Sequence, residues 1–300
     1  MPNTRAKNLQ KRINELEEIL NSSIHDNFRV ADILHVKELN GAYYIVLRTT
    51  KDDNGVQLWK YTENPFASLL DEGIDINIET RSPYLYYTVS KETDRDGYIE
   101  EVVKLDENEN KTIIYTGKSI EISASPDGEY FIIIENPYYI NRNEGVRNLI
   151  ILDRNDITIF DEVIASAMDT DLIPYGWNGD EFWALFTIMA EKPEILILNA
   201  EPLMYEVIEN KANSREFDIN MKNGWICYSD FPVFFDIDTY NDFKESKTEV
   251  NLYLYNIYSE EKIHIDTSIA KEFNPKWIDI YTFEYNDPDS DNRLKYTIEP

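Results

Sequence analysis

Ser125-Pro126-Asp127-Gly128-Glu129-Tyr130-Phe131-Ile132-Ile133 reads as a tight turn that opens directly into a strand. Proline presets the first turn position, and Asp-Gly tolerates the conformations that follow. An aromatic and β-branched run then suits a pleated, half-buried surface. The same grammar recurs on both sides of this stretch. Upstream, Asn40-Gly41 leads into Tyr43-Tyr44-Ile45-Val46-Leu47, and Ser82-Pro83 into Tyr84-Leu85-Tyr86-Tyr87. Downstream, Asn178-Gly179-Asp180 leads into Phe182-Trp183-Ala184-Leu185-Phe186, Asn223-Gly224 into Trp225-Ile226-Cys227-Tyr228, and Pro275-Lys276-Trp277 into Tyr281-Thr282-Phe283. The markers Tyr43, Tyr86, Tyr130, Phe182, Trp225 and Tyr281 follow one another at 43, 44, 52, 43 and 56 residues.

Each unit carries a second apolar run after a polar loop: Leu58-Trp59, Val102-Val103, Leu149-Ile150-Ile151-Leu152, Ile195-Leu196-Ile197-Leu198, Leu252-Tyr253-Leu254-Tyr255 and Leu294-Lys295-Tyr296. A period in the forties with several strands per unit is the signature of propeller blades. The expected fold is therefore all-β: a six-bladed β-propeller of four-stranded antiparallel blades over residues 24–300. The sixth unit ends after its third strand, so Phe28-Arg29-Val30 is expected to supply the missing outer strand and close the ring. The Ser125–Tyr130 run, followed by its apolar strand, resembles the repeat of TolB-like and WD-related propellers. Asn178-Gly179-Asp180-Glu181-Phe182 and Pro275-Lys276-Trp277 are similar to worn copies of it. The Gly-His and Trp-Asp signatures of WD repeats are absent, which favours the TolB-like kind. The motif implies a structural role, since Asp-Gly makes a hairpin turn.

Residues 1–23 stand apart. Leu9, Ile13, Leu16, Ile19 and Leu20 recur at helical spacing and predict one amphipathic helix over residues 4–22. Acidic residues outnumber basic ones, 57 to 29, for a net charge of −28. That field opposes nucleic-acid backbones and anionic lipid surfaces, so the expected partner is a basic or neutral protein or peptide. The one cysteine, Cys227, lies in an apolar strand and reads as a buried, inert thiol. There is no apolar run of spanning length and no apolar leader segment, which points to a cytoplasmic protein. An extracytoplasmic chain whose leader had been removed would read the same.

Catalytic signals are sparse. His25, His35 and His264 form no metal-ligand pair, and no Gly-x-Ser-x-Gly run exists. Gly117-Lys118-Ser119 lacks the upstream glycine of a phosphate loop and reads as a turn between units. No cofactor is expected except a candidate Ca²⁺ at Asp287, Asp289 and Asp291, whose alternate spacing is that of Ca²⁺ loops. Asp94 and Asp96 begin a similar loop, but Val103 stands where the closing Glu belongs. The loops joining second to third strands should gather on one face, bringing aromatics among carboxylates. The candidate binding residues there are Tyr138, Tyr139, Phe234, Phe235, Asp236, Asp238, Tyr240, Asp242 and Phe243. The loop over residues 231–248 is the longest, and aromatics ringed by carboxylates suit a basic peptide or an organic cation. The leading expectation is a non-enzymatic binding or scaffolding propeller. The alternative is a hydrolase or lyase with its site at the mouth of the axial channel, and a third reading is a metal-stabilised envelope protein.

Overall fold

The computed structural model describes Asn14, Glu18 and residues 30–49, 55–62, 66–79, 83–93, 97–106, 108–136, 147–165, 170–188, 194–200, 203–208, 216–232, 234 and 237–299. The described strands form six separate antiparallel sheets, each a meander whose hydrogen-bonded neighbours are also neighbours in sequence. The chain divides into two compact units, Met1–Ser166 and Ala167–Pro300, with three sheets in each.

In the first unit, sheet 1 is β1 (Val30–Leu39), β2 (Ala42–Thr49), β3 (Val56–Thr62) and β4 (Phe66–Gly73). Sheet 2 is β5 (Asp75–Ile78), β6 (Leu85–Thr93), β7 (Gly97–Leu105) and β8 (Lys111–Gly117). Sheet 3 is β9 (Ile120–Ala124), β10 (Tyr130–Glu135), β11 (Arg147–Asp153) and β12 (Thr158–Ala165). Alternation along a strand sends successive side chains to opposite faces, and the cores follow from it. Leu85, Tyr87 and Val89 of β6 pack with Tyr44, Val46 and Leu58 of sheet 1. Tyr86, between two of them, packs with Phe131, Ile133 and Ile150 of sheet 3, its ring 4.1 Å from that of Phe131.

In the second unit, sheet 4 is β13 (Thr170–Asn178), β14 (Glu181–Ile188), β15 (Glu194–Ala200) and β16 (Leu203–Ile208). Sheet 5 is β17 (Phe217–Asn220), β18 (Trp225–Ser229), β19 (Glu249–Asn256) and β20 (Lys262–Ile269). Sheet 6 has three strands: β21 (Lys276–Trp277), β22 (Thr282–Asn286) and β23 (Arg293–Thr297). The same alternation holds. Ile226 and Tyr228 of β18 pack with Trp183, Ile195 and Ile197 of sheet 4, while Cys227 between them packs with Phe273, Phe283 and Tyr285 at sheet 6.

The turn residues act as the sequence implies. Asn40 and Gly41 both take positive φ, 51° and 76°, the combination a tight hairpin between β1 and β2 requires. In the Ser125–Gly128 turn, the Gly128 amide donates to the Ser125 carbonyl at 3.0 Å, and the Ser125 hydroxyl donates to Asp127 Oδ1 at 2.6 Å. Gly128 sits at φ 77°, and a Cβ there would lie 2.6 Å from Pro83 Cγ. This glycine therefore serves both the turn and the close approach of sheet 2.

Three expectations need comment. Pro275-Lys276-Trp277 is not the sixth unit's turn: Lys276–Trp277 is strand β21, and the turn follows at Asp279, whose Oδ1 accepts the Tyr281 and Thr282 amides at 2.8 Å each. Trp277 is drawn into the sheet because its amide and indole N–H both donate to Asp218, at 2.8 and 3.2 Å. Val30, expected in a closing strand, pairs with Thr49 of β2 and so belongs to sheet 1, while Phe28 and Arg29 lie outside the described residues. Asn14 and Glu18 are helical, and the rest of the helix expected over 4–22 lies outside the described residues.

Candidate functional site

The second-to-third-strand connections are where the sequence places the binding loops, and the described one of greatest length is in sheet 5. It leaves β18 at Ser229 and returns in β19 at Glu249. Its base is pinned: Asp230 Oδ1 accepts the Asn251 amide at 2.6 Å, and Asp230 Oδ2 accepts the Asn251 side-chain amide at 3.1 Å. A helix, α1 (Ile237–Glu245), lies within it. The sequence reading took this segment as irregular loop. Tyr240 and Phe243, three residues apart, carry the missed helical signal. Asp238 in the first turn and Lys244 in the last also suit the helix dipole.

An aromatic cluster holds α1 down. Phe231 is buried and meets Phe234 and Phe243 edge-on, with ring centroids 5.8 and 5.4 Å away. Phe234 lies 5.4 Å from Tyr240 and 5.0 Å from Phe243. All three half-buried rings continue the core that contains Cys227, Phe273 and Phe283. Phe234, Tyr240 and Phe243 thus anchor the helix, while Asp238 and Asp242 are exposed, as is Ile237, at 69%. Tyr138, Tyr139, Phe235 and Asp236 lie outside the described residues.

The other singled-out residues are dispersed. Asp287 spends its carboxylate on its own loop: Oδ1 accepts the Asp289 amide at 2.9 Å and Oδ2 the Ser290 hydroxyl at 2.7 Å. These bonds hold its carboxyl below the ordinary aspartate range. Asp289 and Asp291 are exposed. Among the described residues, no three of His, Cys, Asp and Glu converge as a metal site would require. His35 is exposed in β1; His264 lies in β20 against the Tyr253 ring at 5.6 Å, and its Nε2 is 3.0 Å from Thr267 Oγ1. Among the described residues, no helix is long and apolar enough to cross a membrane.

Sequence reasoning missed a set of tyrosine–carboxylate bonds between adjacent sheets. The Tyr87 hydroxyl donates to Asp71 Oδ2 at 2.8 Å, and Lys111 pairs with the same carboxylate at 2.9 Å. Burial alone would push Asp71 up, but the bonds from Lys111 and Tyr87 outweigh it and hold its carboxyl below the usual value. Tyr115 donates to Glu135 Oε2 at 2.8 Å, and Tyr86 to Asp156 Oδ1 at 3.3 Å, where Lys104 also pairs at 2.6 Å. Tyr175 donates to Asp218 Oδ1 at 2.5 Å, and Oδ2 of Asp218 takes the Trp277 amide, so one carboxylate ties sheets 4, 5 and 6. Burial first, then the facing carboxylate, raises the pKa of each of these tyrosines. Tyr285 rises to about 12, from burial and then the charge of Asp266. The 21 tyrosines therefore include a recurring polar tie, formed by an amphipathic ring whose body packs in the core while its hydroxyl reaches an ionised partner.

One lysine belongs to this family of ties. Lys37 in β1 is buried, and its ammonium donates to the Glu79 and Tyr84 carbonyls at 2.8 Å each, pinning the approach to β6. Burial lowers its pKa to about 8, against the opposing pull of Glu79.

No protein-family model matches the chain, and no curated protein matches it in sequence. Among solved structures it is similar to TolB from Acinetobacter baumannii, at 14% identity over 87% of this chain, with a TM-score of 0.42. The chain spans 64% of that TolB chain. It is also similar to the β-propeller domain of the Trilobed protease from Pyrococcus furiosus, at 15% identity over 91% of this chain and 83% of that one, with a TM-score of 0.48. An oligogalacturonate lyase in complex with manganese aligns at 9% identity over 87% of this chain and 74% of that one, with a TM-score of 0.49. Likenesses this remote assign no residue and no activity.

Proposed function

We propose that the six meanders are blades of one six-bladed propeller, and that the chain is a binding or scaffolding protein rather than an enzyme. Its working surface is the connection between second and third strands, and its partner is a basic or cationic protein segment. The observation that carries this reading is α1. A helix inserted at that connection, fixed from beneath by Phe231, Phe234, Tyr240 and Phe243, holds Ile237, Asp238 and Asp242 toward solvent. A pre-ordered helix that exposes an apolar residue and two carboxylates gives a cationic segment both a contact and a charge partner at little ordering cost. Tyr138, Tyr139, Phe235 and Asp236 share such connections in the sequence and extend the proposed surface.

The perturbed titratable groups bear on the catalytic alternative. Lys37, Asp71, Tyr87 and Tyr175 each hold hydrogen bonds that join one sheet to the next, a structural use of shifted groups. The test is affinity capture with the intact chain, with a variant whose 231–248 connection is replaced by a short turn, and with Asp238→Asn/Asp242→Asn. Loss of the same captured proteins from both variants supports the surface. Identical capture by all three chains overturns it.

A further inference from the structure

An asparagine followed by glycine loses its side-chain amide readily, because no Cβ shields the next backbone nitrogen from the carboxamide carbon. The reaction needs that nitrogen to shed its proton and the carboxamide to swing against it. Hydrogen bonds held by either group therefore oppose it. The chain has four such pairs, Asn40-Gly41, Asn54-Gly55, Asn178-Gly179 and Asn223-Gly224. Asn54 lies outside the described residues. The other three stand where the first strand turns into the second in sheets 1, 4 and 5, and the fold treats them differently.

In sheets 4 and 5 the carboxamide ties one sheet to the next. Asn178 Nδ2 donates to the Met221 carbonyl at 3.0 Å, in the turn of sheet 5, and to Glu181 Oε2 at 3.2 Å. Asn223 Nδ2 donates to the Ile280 carbonyl at 2.7 Å, in the turn of sheet 6, and its Oδ1 accepts the Trp225 amide at 3.2 Å. The Gly224 amide is bonded as well, to the Asn220 carbonyl at 2.9 Å, and Gly224 is buried under the Tyr258 ring. In sheet 1 the tie to the next sheet is made by Lys37 instead. Asn40 is exposed at φ 51°, and Gly41 follows at φ 76° with open space around it. Among the described residues, neither the Asn40 carboxamide nor the Gly41 N–H takes part in a hydrogen bond.

We propose that Asn40 is a site of spontaneous modification in the folded protein, converted through a succinimide to aspartate or isoaspartate. The Gly41 nitrogen, its proton lost to hydroxide, bonds to Cγ of Asn40, and the carboxamide nitrogen leaves as ammonia. Water then opens the ring. Cleavage of the bond from nitrogen to Cγ gives aspartate, and cleavage of the bond from nitrogen to the backbone carbonyl carbon gives isoaspartate. The net change is water in and ammonia out, with no oxidation. Either product adds a carboxylate two residues from Glu38. Isoaspartate also adds a backbone atom to a two-residue turn, and turn length sets hairpin register, so the Leu39↔Ala42 pairing should loosen. The inference is independent of α1 and of any binding role.

The test incubates the full chain at neutral pH, folded and in concentrated urea. Each Asn-Gly peptide is then followed by mass spectrometry for the mass gain of amide-to-acid conversion. In urea all four pairs should convert at similar rates. In the folded chain Asn40 should convert at least about tenfold faster than Asn178, the factor to which about 1.4 kcal/mol of bonding corresponds. Asn223, bonded at both reacting groups, should be the slowest of the three. Gly41→Ala, which shields the nitrogen, should slow conversion of Asn40 in urea as well as in buffer, so this arm does not depend on the variant folding. Conversion of Asn178 or Asn223 as fast as Asn40 in the folded chain overturns the proposal. So does an Asn40 that stays intact in the folded chain while it converts in urea. Conversion unaffected by Gly41→Ala overturns it too, since direct hydrolysis of the amide would then be the route.

Discussion

Replacing Asp218 with alanine strips one acceptor from two donors that belong to different sheets. In the intact chain Oδ1 receives the Tyr175 hydroxyl at 2.5 Å and Oδ2 the Trp277 amide at 2.8 Å. Each bond to an ionised partner contributes about 1.5–3 kcal/mol, and a stranded buried donor costs a similar amount. The Tyr175 hydroxyl keeps a fallback, the Ile219 carbonyl at 3.3 Å. The expected loss for Asp218→Ala is therefore about 3–5 kcal/mol, below the simple doubled maximum. Tyr175→Phe removes one donor and leaves Asp218 bonded to Trp277, so it should cost about 1–2 kcal/mol. Because the two side chains share a bond, the double variant should fall short of the sum by about 1–2 kcal/mol. Equilibrium urea unfolding followed by tryptophan fluorescence reads the right part of the molecule. Trp177, Trp183, Trp225 and Trp277 all lie in the Ala167–Pro300 unit, and Trp59 alone lies in the other. A loss under about 0.5 kcal/mol for Asp218→Ala, the range of ordinary surface changes, or strict additivity of the pair, would refute the tie.

Four further outcomes follow from the same contacts. Lys37 has a folded pKa near 8, below its unfolded value, so the unfolded chain binds more protons between about pH 8 and 10.5 and this group adds stability as pH rises through that window; Lys37→Met should remove that slope from the pH dependence of Tm and, by freeing two carbonyls, lower stability at pH 7 by about 1–3 kcal/mol. Cys227 is fully buried, and burial pushes its thiol pKa well up, so a thiol-reactive reagent such as DTNB should label it only as fast as the native chain opens; rapid labelling would contradict the packing at sheets 5 and 6. Gly128→Ala meets both the positive φ and Pro83 and should cost about 1–3 kcal/mol, read as a lower Tm by circular dichroism, whereas Gly41→Ala, which has open space around it, pays only for its φ and should cost less. Calcium or a chelator should leave Tm unchanged within about 1 °C, because Asp287 bonds within its own loop; a clear rise with calcium would support the metal reading of Asp287, Asp289 and Asp291.

The strands were legible because their signals are local. Asn40-Gly41 and Asn223-Gly224 announce hairpins that the structure contains, and each apolar second run, from Leu58-Trp59 to Leu294-Lys295-Tyr296, is the third strand of its sheet. Trp277 was misread because its conformation is decided by Asp218, 59 residues earlier. The tyrosine ties were invisible for the same reason: Tyr175 and Asp218 are 43 residues apart, and Tyr86 and Asp156 are 70. No periodicity encodes such a pair. At the candidate site, the sequence located the long connection and its aromatics. It did not separate the rings that face inward, Phe234 and Phe243, from the carboxylates that face outward, because that sorting depends on α1.

Since the described strands of each sheet follow one another along the chain, the hydrogen bonding among them can form as soon as their own segment has emerged during translation. Hairpins close in about 1–10 μs, while a ribosome adds roughly 5–20 residues per second. Each finished meander thus awaits its successor for seconds, presenting hydroxyls such as those of Tyr86, Tyr115 and Tyr175, whose partners lie in the next sheet, at a face still open to water. The nascent chain should therefore acquire protease resistance in steps, one sheet at a time, and an in-frame duplication of a whole repeat should leave every existing strand pair undisturbed.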